Sequence, residues 1–262
     1  MPNSALQVAR TGLEAQDTRM RVIANNLANV GTTGFKRDRA NFATLAYQNL
    51  RVAGQQSSSE TEYATGLNLG TGVAVQSTSR IATQGTLNNT GNALDLALDG
   101  EGYFQVELPG GQLAYTRAGN FTRSAEGELV TVQGYRVQPG ITIPEDAQAI
   151  SIAADGTVSA TSGASGEVTE LGQLQVASFT NPAGLLATGD NFLLETPASG
   201  QAQLGPAGEN GRGNVRQGML EGSNVNVVEE LVDMIECQRA YEINSKMISA
   251  IDEMLRNANQ TL

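Results

Sequence analysis

Three acidic clusters are the residues best spaced for chemistry in this chain. Glu126 with Glu128, and Glu145 with Asp146, are carboxylate pairs of the kind that serve as general acid and base in bond hydrolysis. Asp99 and Glu101 alternate with Gly100 and Gly102, a spacing that suggests a calcium loop. Each has a plainer reading. Both pairs sit beside turn residues, where acids are solvated, and the Asp99–Glu101 run lacks the further spaced oxygens of a calcium loop. The chain has no histidine, which removes the commonest general base, metal ligand and triad member. Its one cysteine, Cys237, excludes an intramolecular disulfide and any cysteine cluster, and is expected to be a small buried thiol. Gly70-Thr71-Gly72 is followed by no helical pattern and reads as a turn, not a phosphate loop. With no tryptophan and few aromatics, a stacking groove for sugars or bases is not expected either. The residues therefore predict no catalysis, no cofactor, no metal and no small-molecule ligand.

The elements that would have to position such residues point elsewhere. From Asn226 to Asn259 there is neither Gly nor Pro, in a chain with 30 glycines. Asn226 can cap a helix start, with Glu229 completing a capping box. At ~1.5 Å per residue this helix would be roughly 50 Å long. Met234, Tyr241, Ile248 and Leu255 recur every seven residues, with Ala240, Met247 and Met254 on a neighbouring face and Val228, Ile235, Ile243 and Ile251 flanking them. That surface is wider than one partner helix can cover, so several neighbours are expected. At the other end, Leu6, Leu13, Met20 and Leu27 fall seven apart, each followed three residues on by Ala9, Gln16, Ile23 and Val30. This is a coiled-coil seam, capped by Asn3 or Ser4 and stopped around Gly31 and Gly34.

The economical arrangement pairs the two terminal helices in one discontinuous domain (residues 1–35 and 221–262) from which the middle projects. Residues 36–72 read as an extended connecting segment, polar and flexible in composition over 54–66. Residues 73–220 have the texture of an antiparallel β domain. Leu94, Leu96 and Leu98 alternate with Asp95, Ala97 and Asp99 as a half-buried strand. Hairpins are expected at Pro109-Gly110-Gly111 and at Asp155-Gly156, and strands at Leu174–Val176 and Phe192–Leu194. The expected fold class is α+β, a terminal coiled-coil domain with an inserted, mainly antiparallel β domain.

Charge narrows the partners. The net charge is −11, which argues against nucleic acid or an anionic membrane. Residues 1–51 hold seven Arg or Lys against three acids, net +4, and the remainder hold nine against twenty-four, net −15. A basic head on an acidic body would favour contact between copies in a fixed direction; the plainer reading of the basic run Lys36 to Arg39 is a solvated loop. No transmembrane run or apolar signal core is visible, so a cytosolic protein, or one exported by a route that reads no cleaved signal, is expected.

The residues then acquire a likeness. Ile23-Ala24-Asn25-Asn26-Leu27-Ala28-Asn29-Val30, followed by Thr33-Gly34-Phe35-Lys36, resembles the signature of the bacterial flagellar basal-body rod and hook proteins. Gln238-Arg239-Ala240-Tyr241-Glu242, with Ser223-Asn224-Val225 upstream and Asp252-Glu253-Met254-Leu255 downstream, resembles the matching signature at the family's other end. Further likeness lies in Phe35–Arg39, Gly70–Val73, Leu94–Leu98, Tyr115–Arg117, Asn181–Leu185 and Val228–Leu231. Within the family the resemblance is to the members that build the distal rod, and residues 46–66 look like the segment that distinguishes them from hook subunits.

The resemblance implies a structural subunit, not an enzyme, that self-assembles into a helical tube. That tube would be the drive shaft passing torque to the hook, spanning periplasm to outer membrane. It implies as partners further copies of the chain, proximal rod proteins, the hook protein, the peptidoglycan-layer and outer-membrane ring proteins, and the flagellar type III export apparatus. The residues expected to pack helices in the assembly are Leu6, Leu13, Met20, Ile23, Leu27, Val30, Leu231, Met234, Tyr241, Met247, Ile248 and Leu255. The signature positions are Asn25, Asn26, Leu27, Gly34, Phe35, Gln238, Arg239 and Tyr241. A proximal rod or hook-type subunit is the nearest alternative, and a soluble secreted β-domain binding protein the alternative from another class.

Overall fold

The computed structural model describes residues 2–56, 62–163 and 167–260. The fold is α+β: helices α1 (Pro2–Ala28) and α2 (Val227–Gln260) bracket a mainly antiparallel β region. Asn226 caps α2, its Oδ1 accepting from Val228 N at 3.1 Å and its backbone oxygen from Glu230 N at 3.0 Å. The α1 helix starts at Pro2, ahead of the expected caps, as proline in a first turn permits. It ends at Ala28, where Thr32 N turns back to Asn29 O and Gly34 takes a left-handed φ of 68°. Val30 thus lies beyond the helix.

The chain divides into two compact units. The first comprises residues 1–27, 38–79 and 226–262. Here the helices run antiparallel, Asn26 meeting Glu230, Arg19 meeting Asp233 and Gln16 meeting Cys237. Four strands belong with them: β1 (Asp38–Thr44), β2 (Tyr47–Arg51), β3 (Leu67–Gly70) and β4 (Val73–Arg80). The β1 strand pairs with β4, and β2 with β3 as an antiparallel hairpin, Tyr47 opposite Gly70. Within the segment expected to be extended, residues 38–44, 47–51 and 67–70 are strand, while the described part of the polar stretch 54–66 is not; residues 57–61 lie outside the described residues. The Gly70-Thr71-Gly72 turn holds no ligand geometry: Thr71 Oγ1 donates to Ala46 O at 2.6 Å, and Leu45 N donates to Gly72 O.

The second unit comprises residues 28–37 and 80–225. Its antiparallel nine-stranded sheet runs from Leu186–Gly189 through Phe192–Leu194, Leu113–Thr116, Tyr103–Glu107, Arg136–Val137 and Leu129–Thr131 to Phe121–Arg123. A branch through Gln175–Ser178 and Gln203–Pro206 joins it at Tyr103–Glu107. A three-stranded sheet (Ala147–Ile152, Thr157–Ser162, Val168–Gln173) lies beside it in the chain. The hairpins at Gly110-Gly111 and Asp155-Gly156 form where expected, with those glycines at positive φ. Leu96, Leu98, Phe104, Val106, Phe121, Ile143, Leu174 and Val176 make the core, each side chain contributing about 1.5–3 kcal/mol of burial. Phe104 and Phe121 meet edge to face at 5.2 Å. The strand Leu96–Asp99 departs from expectation in that Ala97 is buried as fully as its leucine neighbours. It pairs along its length with Asn214–Gln217, and both of its faces are covered.

Candidate assembly interface

The acidic clusters are occupied by local structure. Glu126 accepts from Ser124 Oγ at 2.9 Å, and that bond holds its carboxyl below the usual range. Glu128 pairs with Arg136 at 2.7 Å, Asp146 accepts from Ser162, and Asp99 pairs with Arg216. Among the described residues no three His, Cys, Asp or Glu side chains gather as metal ligands would. In the second unit a cleft of about 500 Å³, lined by Thr32, Phe35, Arg80, Asp190, Asn191 and Phe192 among others, mixes polar and apolar side chains and holds no nucleophile–base pair.

The helix pair of the first unit has an unusual distribution of polarity. The face that α1 turns to α2 carries Ala9, Gly12, Gln16, Arg19, Ile23 and Asn26, spaced alternately by three and four residues as a heptad seam requires. Glu230, Cys237, Asn244 and Ile251 answer from α2, seven apart, and all but Asn244 are buried. Much of the contact is polar. Asn26 Nδ2 donates to Glu230 Oε2 at 3.2 Å, Arg19 Nη2 reaches Asp233 Oδ1 at 3.0 Å, and Cys237 Sγ donates to Gln16 O at 3.1 Å. The Asn244 amide fits against Gly12, where a Cβ would come within 3.2 Å of its nitrogen.

The expected packing residues spread around this seam. Ile23 is buried within it. Leu6, Leu13, Met20, Leu27, Met234, Ile248 and Leu255 flank it half-buried, while Val30, Leu231, Tyr241 and Met247 are exposed. On α2, Val228, Ile243 and Met254 are each more than 60 % exposed, and Val232 and Ile235 half so. Much of the apolar surface of these helices thus faces away from the partner helix, a contiguous exposure that marks an interaction surface.

In the second unit a single carboxylate ties the segment after α1 to the segment before α2. Glu221, fully buried, accepts at Oε1 from Lys36 Nζ at 2.5 Å and from Gly85 N at 3.0 Å. Its Oε2 faces Arg117 Nε at 3.4 Å, and Arg117 Nη2 donates to Gly100 O at 2.7 Å. Lys36 Nζ also donates to Thr83 O. Burial lowers the Lys36 pKa from its ordinary value, against the raising pull of Glu221. Around this centre Gly34 N donates to Glu221 O, Arg37 N to Asn224 Oδ1, and Asn224 Nδ2 to Ile81 O. Lys36 is therefore no part of a solvated loop. It has a buried counter-ion far along the chain, while Arg39 stays exposed.

Family models match three stretches of the chain. "Flagella basal body rod protein" covers residues 6–36, "Flagellar hook protein FlgE/F/G D1 domain" residues 97–160, and "Flagellar basal body rod FlgEFG protein C-terminal" residues 216–261. The chain is 50 % identical over 256 residues to the flagellar basal-body rod protein FlgG of Buchnera aphidicola subsp. Acyrthosiphon pisum, covering 98 % of each. It is 48 % identical over 259 residues to the FlgG of Agrobacterium fabrum, covering 98 % of this chain and 99 % of that protein. It belongs to the flagellar rod protein family. A FlgF rod protein of Caulobacter vibrioides is also similar, at 34 % identity over 258 residues, 96 % of each chain. The likeness is thus stronger to the FlgG members, and the chain is a structural subunit of the flagellar basal-body rod, not an enzyme.

The rod-family signature now has a physical content. Gly34 must be glycine, because it is left-handed and a Cβ would sit 2.6 Å from the Arg117 carbonyl carbon. Phe35 is buried beside it. Asn26 is buried in the helix seam, whereas Asn25, Gln238 and Arg239 point outward. Sequence reasoning missed Glu221, Arg117 and Glu230. The available signal was an isolated Glu after Met219-Leu220, and a Glu one position off the expected apolar stripe.

Proposed function

We propose that this rod subunit polymerises as the distal rod, a helical tube that transmits torque to the hook. The observation that carries the reading is the outward-facing apolar surface of α2, which leaves work for helices of neighbouring copies. The stronger likeness to FlgG members supports the distal position. On this reading the packing residues are Leu6, Leu13, Met20, Ile23, Leu27, Val30, Leu231, Met234, Tyr241, Met247, Ile248 and Leu255. The partners are further copies, the proximal rod, the hook protein, the peptidoglycan-layer and outer-membrane ring proteins and the export apparatus, with the tube running from periplasm to outer membrane. Electron microscopy of the concentrated protein is the test. Wild type should form straight tubes, and Leu13→Asp or Ile248→Asp should abolish them while the second unit's thermal melt stays unchanged. Unchanged tubes from both variants would refute the helix-packing reading.

A further inference from the structure

The seam between α1 and α2 sets Gln16, Arg19, Asn26, Glu230 and Asn244 among Ala9, Ile23 and Ile251, while apolar side chains such as Val228, Ile243 and Met254 face outward. Apolar stripes are interchangeable: any amphipathic helix of a neighbouring copy can cover Leu13 or Ile248. The seam contacts are not. Asn26 Nδ2 donates to Asp38 O (2.9 Å) and to both Glu230 oxygens, while its Oδ1 accepts from Asp38 N at 2.9 Å. A different helix, or the same helix slipped along its axis, would remove Glu230 from a side chain only 1 % exposed. The two Asp38 bonds would remain, but one Asn26 amide hydrogen and the buried Glu230 carboxylate would lose the bond they share, and a single buried Asn is known to fix register between helices. Arg19–Asp233, more than a third exposed, and Gly12–Asn244 add weaker register-dependent contacts seven and fourteen residues along α1.

We propose that this polar seam is the element by which α1 selects α2 of its own chain, in one register, from among the helices of neighbouring copies, with Asn26 as its specificity-determining residue. The inference rests on the polymer reading above. It divides the two helices' surfaces by task. Outward apolar faces drive association without much choice of partner, and the inward polar face excludes wrong partners by the cost of unpaired buried groups.

Charge exchange tests it on the full chain. Arg19→Asp and Asp233→Arg each set like charges in the seam, and the double exchange restores the pair. Each single variant should need a roughly threefold to fivefold higher concentration to polymerise, by sedimentation and electron microscopy, and the double variant should return to the wild-type concentration. An equimolar mixture of the two single variants should remain as poor as either alone, because each chain pairs with itself. Asn26→Asp, which sets a second carboxylate against Glu230, should behave like the single exchanges and be partly rescued by Glu230→Gln in the same chain. Rescue by mixing would mean the helices pair between copies, and single variants polymerising at the wild-type concentration would mean the seam selects nothing. Either overturns the proposal while leaving the polymer reading intact. Wild type that stays monomeric at every concentration would overturn that reading and this one together.

Discussion

Replacing Glu221 by Gln should destabilise the second unit by about 3–5 kcal/mol, the cost of removing one partner from a buried ion pair. The side chain keeps its size, so the effect is electrostatic: Lys36 and Arg117, both buried, lose their shared counter-ion. Lys36 sets a ceiling on its own share of the loss. It can shed its proton instead, and from an ordinary pKa of 10.5 that costs about 5 kcal/mol at pH 7, at about 1.36 kcal/mol per unit. Burial already lowers that pKa in the wild type, so the true share is smaller. For a unit of this size 1 kcal/mol shifts Tm by about 2–4 °C, which predicts a drop of roughly 6–20 °C. Near-ultraviolet circular dichroism, reporting the buried Tyr103 and Tyr115, would follow the melt. The pH dependence sharpens the test. In wild type, between the lowered folded pKa and 10.5, the unfolded chain binds a proton that the folded chain does not. Stability on this group's account therefore rises with pH in that window. In Glu221→Gln the deficit should narrow toward pH 10.5, because a neutral amine needs no counter-ion. A drop below about 2 °C, or a deficit that widens with pH, would refute the account of the cluster.

Gly34→Ala should cost the second unit at least about 2 kcal/mol, since left-handed backbone strain adds to a contact with Arg117 that backbone must relieve; a urea midpoint within error of wild type would contradict it. Phe104→Ala should lower the same unit's stability by about 3–5 kcal/mol through the cavity left against Phe121, measured by chemical denaturation. Burial raises the Cys237 pKa above 9.0, so iodoacetamide should label it far more slowly at pH 8 than a free thiol. For the same reason its contribution to stability, full below pH 9.0, should fade as pH rises through the folded value. Deleting residues 55–62 should change tube curvature or stiffness by electron microscopy more than it changes subunit melting.

The helices were legible because a Gly- and Pro-free run and a heptad are strong, local signals. The partner-facing stripe was legible in part: Ala9, Gln16, Ile23 and Ile251 lie in it as the heptads suggest, but Asn26 and Glu230, which hydrophobic periodicity counts as surface, are buried there too. The hairpins at Gly110-Gly111 and Asp155-Gly156 were announced by their turn residues. The β2–β3 hairpin was not, because Tyr47, Leu50, Leu67 and Leu69 are all exposed and the strands carry no alternation that burial would impose. Ala97 escaped notice for a related reason: a small buried residue between leucines looks like the polar half of a period-two pattern. Lys36 was misplaced because its neighbours Arg37, Asp38 and Arg39 suggest solvent, while its counter-ion lies in a segment that no local pattern connects to it.

The Lys36–Glu221 pair also says something about the order of events in folding. Its members are 185 residues apart in sequence, and closing a loop of that length costs about 5 kcal/mol of chain entropy before any contact repays it. The cluster can therefore form only after the intervening strands have shortened the effective loop, so it is a late event on the folding path. A nascent chain that lacks residue 221 cannot give Lys36 its buried counter-ion. The contacts of Gly34, Lys36 and Arg37 with Glu221 and Asn224 become available only once the last strand of the β region has been made.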